Sequence, residues 1–153
     1  MLLWTVGAFA QNGLEGSWIM SQGALGAKVI NTMTFSSESQ GTVTNKYVVT
    51  MDISKFGVKV SGETEISESG TFVFDGSTLT INWGPDSITT TAKAVEATKD
   101  GKPIPDAAKE FQNLFDEITD AMCSAEMATD TYTNVKIKDD KLSLDGDKFK
   151  RIK

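Results

Sequence analysis

The sequence predicts an all-β fold with one added helix: an up-and-down antiparallel β-barrel of about 8–10 strands. Three observations predict it. Apolar and polar residues alternate with period two through most of the stretch from Gly16 to Ala97. Turn residues of the Asp-Gly and Asp-Asp kind separate the alternating segments. A single stretch, near residues 105–122, is spaced for a helix instead.

Strands are expected near 17–22, 28–36, 41–53, 57–67, 70–75, 78–84 and 87–97, where Thr, Val, Ile and aromatic residues are enriched. The alternation is clearest from Tyr47 to Ile53, with Tyr47, Val49, Met51 and Ile53 on one face. It resumes with Val58, Val60, Thr64 and Ile66 opposing Lys59, Ser61, Glu63 and Glu65. One dry and one wet face mark an antiparallel sheet, because a parallel sheet is covered on both faces. Asp75-Gly76 joins Phe72-Val73-Phe74 to Leu79-Thr80-Ile81, and Asp-Gly supplies the positive φ of a tight hairpin. Asp139-Asp140 and Asp145-Gly146 do the same for terminal strands near 131–138, 141–145 and 148–152. A meander of this many strands removes its exposed edges most simply by closing.

The helix has Pro105 suited to its first turn and Asp106 placing negative charge near its N-terminus. Phe111, Leu114, Phe115, Ile118, Ala121 and Met122 form one apolar stripe, which packs on the barrel or serves as a lid. Residues 99–103 form a connector, and residues 11–153 read as one domain.

The N-terminal run Leu2-Leu3-Trp4-Thr5-Val6-Gly7-Ala8-Phe9-Ala10 ends on a small-x-small pattern and reads as the remnant of a signal peptide over 1–10. Mature protein would then begin at Gln11, in the periplasm or outside the cell. The alternative is an N-terminal strand or plug packed on the barrel. No later run approaches the ~18 apolar residues of a membrane-spanning helix.

Composition excludes much chemistry. The formal net charge is −6, with 15 basic and 21 acidic residues, so no overall basic footprint points to nucleic acid. There is no histidine, which removes Ser-His-Asp and Cys-His arrangements and the commonest metal ligand. Cys123 is the only cysteine, so neither an internal disulfide nor a Cys-based zinc site can form; a buried inert thiol is expected. Asp145-Gly146-Asp147 lacks the ligand series of a calcium loop and reads as a hairpin. No Gly-rich loop opens a helix, which removes the dinucleotide and P-loop readings. No catalytic residue, cofactor or metal is therefore expected.

Gly16-Ser17-Trp18 opens the first strand, and Arg151 lies in the last. Alternation from Phe149 turns Arg151 inward, while Lys148 and Lys150 point out. This combination resembles the Gly-x-Trp signature of the lipocalin-like (calycin-type) β-barrels, and is similar to the exported lipocalin-like domains of Bacteroidetes-type bacteria. The resemblance implies that Trp18 packs at the closed barrel end with Arg151 across its indole, as a barrel-closing structural pair. Other lipocalin signatures are not evident, and more strands follow the helix than in an eight-stranded lipocalin.

The inward set is expected to include Met20, Met33, Phe35, Tyr47, Met51, Phe72, Phe74, Leu79, Ile81 and Trp83. Of these, Met33, Phe35, Tyr47, Met51, Phe72, Phe74 and Trp83 are the candidate lining of a ligand cavity. Core and pocket residues look alike in sequence, so they either fill the barrel or surround a guest. The leading expectation is an exported non-enzymatic protein that carries or senses a small hydrophobic molecule. The alternative is a filled barrel acting as a structural or protein-interaction module of the cell envelope. A third reading, an enzyme using a cavity carboxylate, requires a carboxylate of perturbed pKa inside the barrel.

Overall fold

The computed structural model describes residues 13–24, 26–84, 87–107, 109–110, 112–113 and 129–153. Among them the alternating segments form one antiparallel sheet of eleven strands. These are β1 (Gly16–Ala24), β2 (Ala27–Phe35), β3 (Gln40–Lys55), β4 (Val58–Phe74), β5 (Leu79–Trp83) and β6 (Thr89–Lys99). β7 (Lys102–Pro103), β8 (Thr129–Tyr132), β9 (Lys136–Lys138), β10 (Lys141–Leu144) and β11 (Asp147–Arg151) follow.

The main path runs β7-β6-β4-β3-β2-β1-β11-β10-β9, so the first and last strands are neighbours. β4 forks. Its first part pairs with β6 and its last five residues pair with β5, which in turn pairs with β8.

Two expected strands, 57–67 and 70–75, are therefore one. Ser67-Glu68-Ser69-Gly70 has the composition of a turn, yet it runs straight through, with Gly70 opposite Trp83. A Cβ on Gly70 would run into the Asn82 carbonyl, so glycine serves close strand approach there. The expected strand 131–138 is instead two. Asn134 takes the left-handed conformation, and Val135 turns inward and donates its N–H to the Ser77 carbonyl at 2.8 Å. That inward turn keeps β8 and β9 from pairing as a hairpin. The sheet curls round one core, but its hydrogen-bonded ladder does not close into a barrel, with β7, β8 and β9 left as ends.

The core gathers residues from across the sheet: Leu14, Trp18, Phe35, Phe72, Leu79, Ile81, Leu142, Phe149 and their neighbours. Phe35 and Phe72 meet edge to face, ring centroids 5.0 Å apart. Each such fully buried side chain contributes about 1.5–3 kcal/mol relative to exposure. A second buried patch, Thr64, Val95 and Ala97, lies where β4 pairs with β6, beside a bulge between Ser61 and Glu63.

At one end of the core, Trp18 and Arg151 are direct partners across β1 and β11. The guanidinium carbon lies 4.1 Å from the indole ring centroid. Arg151 also donates to the carbonyls of Gly13, at 2.7 Å, and Glu15, while the Trp18 Nε1–H donates to the Leu14 carbonyl at 2.8 Å. Gly16 has φ +108°, and a Cβ there would approach Arg151 Nη1 to 3.2 Å, which accounts for the glycine of Gly-x-Trp.

Residues 107, 109, 110, 112 and 113 are helical, and Asp106 starts the turn by accepting from the Glu110 N–H at 2.9 Å. Asp106 has φ +59°, so it stands as the flanking cap and not inside the first turn. Gln112 accepts from the Ala92 N–H at 3.0 Å, which places this turn against β6. The apolar stripe from Phe111 to Met122, Cys123 and the N-terminal run 1–10 lie outside the described residues.

Candidate functional site

On the inward face, alternation carries polar side chains as well as apolar ones. In β2, Asn31 keeps the phase of Met33 and Phe35; in β3, Asn45 lies between Val43 and Tyr47 in the same phase. In β4, Glu68 is in phase with Ile66 and Phe72. Register then brings them together: Asn31 faces Tyr47, Asn45 faces Met33 on one side and Glu68 on the other. From β8, Asp130 and Tyr132 face Ile81 and Leu79 of β5.

Asn31, Met33, Asn45, Tyr47, Glu68, Asp130 and Tyr132 surround a cavity of about 100 Å³, together with Trp83, Leu144, Asp147 and Phe149. Its wall is acidic, with Glu68, Asp130 and Asp147 and no Lys or Arg. Two internal bonds organise it. Asn45 Nδ2 donates to Glu68 Oε1 at 2.9 Å, and the Trp83 Nε1–H donates to Asp130 Oδ2 at 2.7 Å. The Asn45 and Asn31 side chains oppose, at the Tyr47 phenol, the rise that burial causes.

The arrangement leaves acceptors over. Asn31 is 6% and Asn45 3% exposed, and the Oδ1 of each has no hydrogen-bond partner. A buried acceptor without a donor costs about 1–3 kcal/mol, and the described side chains leave these two acceptors unfilled. The electrostatics agree. Burial raises the Glu68 carboxyl above the usual carboxylate range, opposed by the Asn45 hydrogen bond and assisted by Asp130. Burial also raises both phenols, with Tyr132 pushed up to about 12, so the tyrosines stay neutral hydroxyls at ordinary pH.

Of the residues expected to line a cavity, the structure brings Met33, Tyr47 and Trp83 to this one. Phe35 and Phe72 are instead fully packed against each other, and Phe74 packs on the outside of the same cluster. Met51 is half-buried opposite Ala27 and Gly62, well along β3 from the chamber. Asn31, Asn45, Glu68, Asp130 and Tyr132 escaped sequence reasoning, which sought apolar residues for an apolar guest. The phase of the alternation was the available signal: a polar side chain two residues from an inward apolar one is itself turned inward.

A second concavity, of about 560 Å³, lies outside the sheet over β9, β10 and β11. Lys136, Lys138, Lys141, Lys148 and Lys150 line it. Among the described residues, no group of three His, Cys, Asp or Glu side chains is placed to hold a metal ion. None of their helical segments is long and apolar enough to cross a membrane. No protein-family model, curated protein or solved structure matches this chain.

Proposed function

We propose that the chain is a non-enzymatic binding protein whose interior chamber takes a small polar molecule, on a barrel-like scaffold of lipocalin type. The observation that carries this reading is a pair of buried amide oxygens without a hydrogen-bond partner, on Asn31 and Asn45, two residues that line one cavity. The scaffold reading is supported by Gly16-Ser17-Trp18 with Arg151 over the indole. The expected hydrophobic guest suits the chamber poorly. Carrier pockets run to about 300–1,000 Å³ with mostly apolar walls, whereas this one is near 100 Å³ and acceptor-rich. A volume of that size holds roughly three waters or one small head group.

Catalysis is the weaker alternative. Glu68 has the raised carboxyl a general acid uses, but no Ser, Thr, Cys or Lys lines the chamber, which leaves only a carboxylate or a phenol to act as nucleophile beside it. Work outside the cytoplasm is part of the proposal and rests on the small-x-small pattern at residues 8–10.

Native mass spectrometry of protein from its own host tests the binding reading. A retained small polar mass, lost from an Asn31→Leu, Asn45→Leu double variant that stays folded, is the expected result. Parent protein that is bare, and whose Asn31 and Asn45 side-chain amide signals ignore every small polar compound tried, overturns it. A filled barrel acting through its surface is the second reading, and the five-lysine groove favours it. Capture of an envelope partner that is lost on charge reversal of Lys138 and Lys150 would support that reading.

A further inference from the structure

Resting on the proposed binding function, we infer that the chamber selects a cation bearing N–H groups: the primary ammonium or guanidinium head of a small organic molecule. Three carboxylate residues, Glu68, Asp130 and Asp147, reach the cavity wall and no basic side chain does. Glu68 and Asp130 are partly buried there and Asp147 is exposed, and no cationic side chain of the wall balances them. The two orphan oxygens, on Asn31 and Asn45, ask independently for hydrogen-bond donors. A neutral polyol would answer the oxygens and leave the charge. A quaternary ammonium would answer the charge and leave the oxygens. An N–H-bearing cation answers both.

Asn45 Nδ2 is held by Glu68, so the amide cannot simply flip to offer its donors to the cavity without breaking that bond. Trp83 holds Asp130 in the same way. These two bonds fix Asn45 and Asp130 before a guest arrives, which spares the guest the cost of ordering them. The raised carboxyl of Glu68 has the same cause, since burial without a nearby cation disfavours its charged form.

The probes are four compounds of similar size: n-butylammonium, n-butanol, butyrate and tetramethylammonium. Binding is followed by calorimetry and by the side-chain amide signals of Asn31 and Asn45 in the full chain. Butylammonium is expected to bind at least tenfold more tightly than butanol and to shift both amides, with butyrate and tetramethylammonium inert. Glu68→Gln and Asp130→Asn keep shape and can keep the Asn45 and Trp83 hydrogen bonds, and each should weaken butylammonium at least tenfold without moving butanol. If butanol binds as well as butylammonium, or the two variants bind it like the parent, the cation inference falls while a polar-guest protein survives. Preference for tetramethylammonium also overturns it. If no probe shifts either amide, both this inference and the binding function fall.

Discussion

The indole of Trp18 is fixed at its edge by the Leu14 carbonyl and covered on its face by Arg151. The guanidinium in turn ties down the carbonyls of Gly13 and Glu15, so one arginine satisfies the backbone that leads into β1. Trp18→Ala should cost roughly 3–5 kcal/mol, as a fully buried aromatic residue replaced by a cavity. In a double-mutant cycle of Trp18→Leu and Arg151→Met, denaturant melts should show coupling above about 0.5 kcal/mol; additive losses would mean that stacking contributes nothing. Glu68 carries a pH prediction whose sign follows from its raised pKa. The unfolded carboxyl titrates near 4.5 and the folded one higher, so between those values the folded state holds the extra proton. Stability from this group therefore falls as pH rises above about 4.5. Glu68→Gln should gain stability relative to the parent between pH 4 and pH 7, read as a widening gap in urea midpoints. A constant gap would show that Glu68 is not desolvated.

β4 owes its length to Gly70, which lets the strand pass against Asn82 and serve two partners in succession. Gly70→Ala should destabilise by about 1–3 kcal/mol, as overpacking does, and a chemical-denaturation series would register it. An unchanged midpoint would place the β4–β5 pairing further apart. On the other side of the molecule, register aligns Lys138, Lys141 and Lys150 in one cross-strand row. Like charges directly opposite repel, and a lysine on the short edge strand β9 discourages pairing with another chain. Edge protection explains Lys136 and Lys138 but not the lysines of β10 and β11. Lys141→Glu converts two repulsive pairs into attractive ones and should add about 0.4–2 kcal/mol from the two attractive pairs, beside the repulsion it removes. The gain should shrink in high salt, and a gain indifferent to salt would point away from charge as its cause.

For the whole molecule, the pairing of β1 with β11 is the contact that makes a sheet of local hairpins into one body. It encloses Leu142, Leu144 and Phe149 with Trp18 and Phe35 in a common core. Truncation after Leu144 removes β11, Phe149 and Arg151 together. The shortened chain should lose its cooperative transition and expose apolar surface to a hydrophobic dye; cooperative melting with an intact near-ultraviolet signal would show that β1 to β10 suffice. The enclosure also creates the chamber, since its wall draws on β2, β3, β4, β5, β8, β10 and β11. No hairpin taken alone contains it.

The alternation of Tyr47–Ile53 and Val58–Ile66, the Asp-Gly turn after Phe74 and the inward phase of Trp18 and Arg151 were all legible in the sequence. Each depends on local geometry: side chains alternate across a strand, and φ preferences belong to single residues. Which strands pair is a different matter, because alternation names the face and not the neighbour. Hence the fork of β4, the inward turn at Val135 and the open ladder between β8 and β9 were settled by tertiary packing. The chamber belongs to that level as well. Asn31, Asn45 and Glu68 are ordinary polar residues until register sets them opposite one another. Only the folded sheet, by burying Asn31 and Asn45, leaves their amide oxygens as acceptors without a donor.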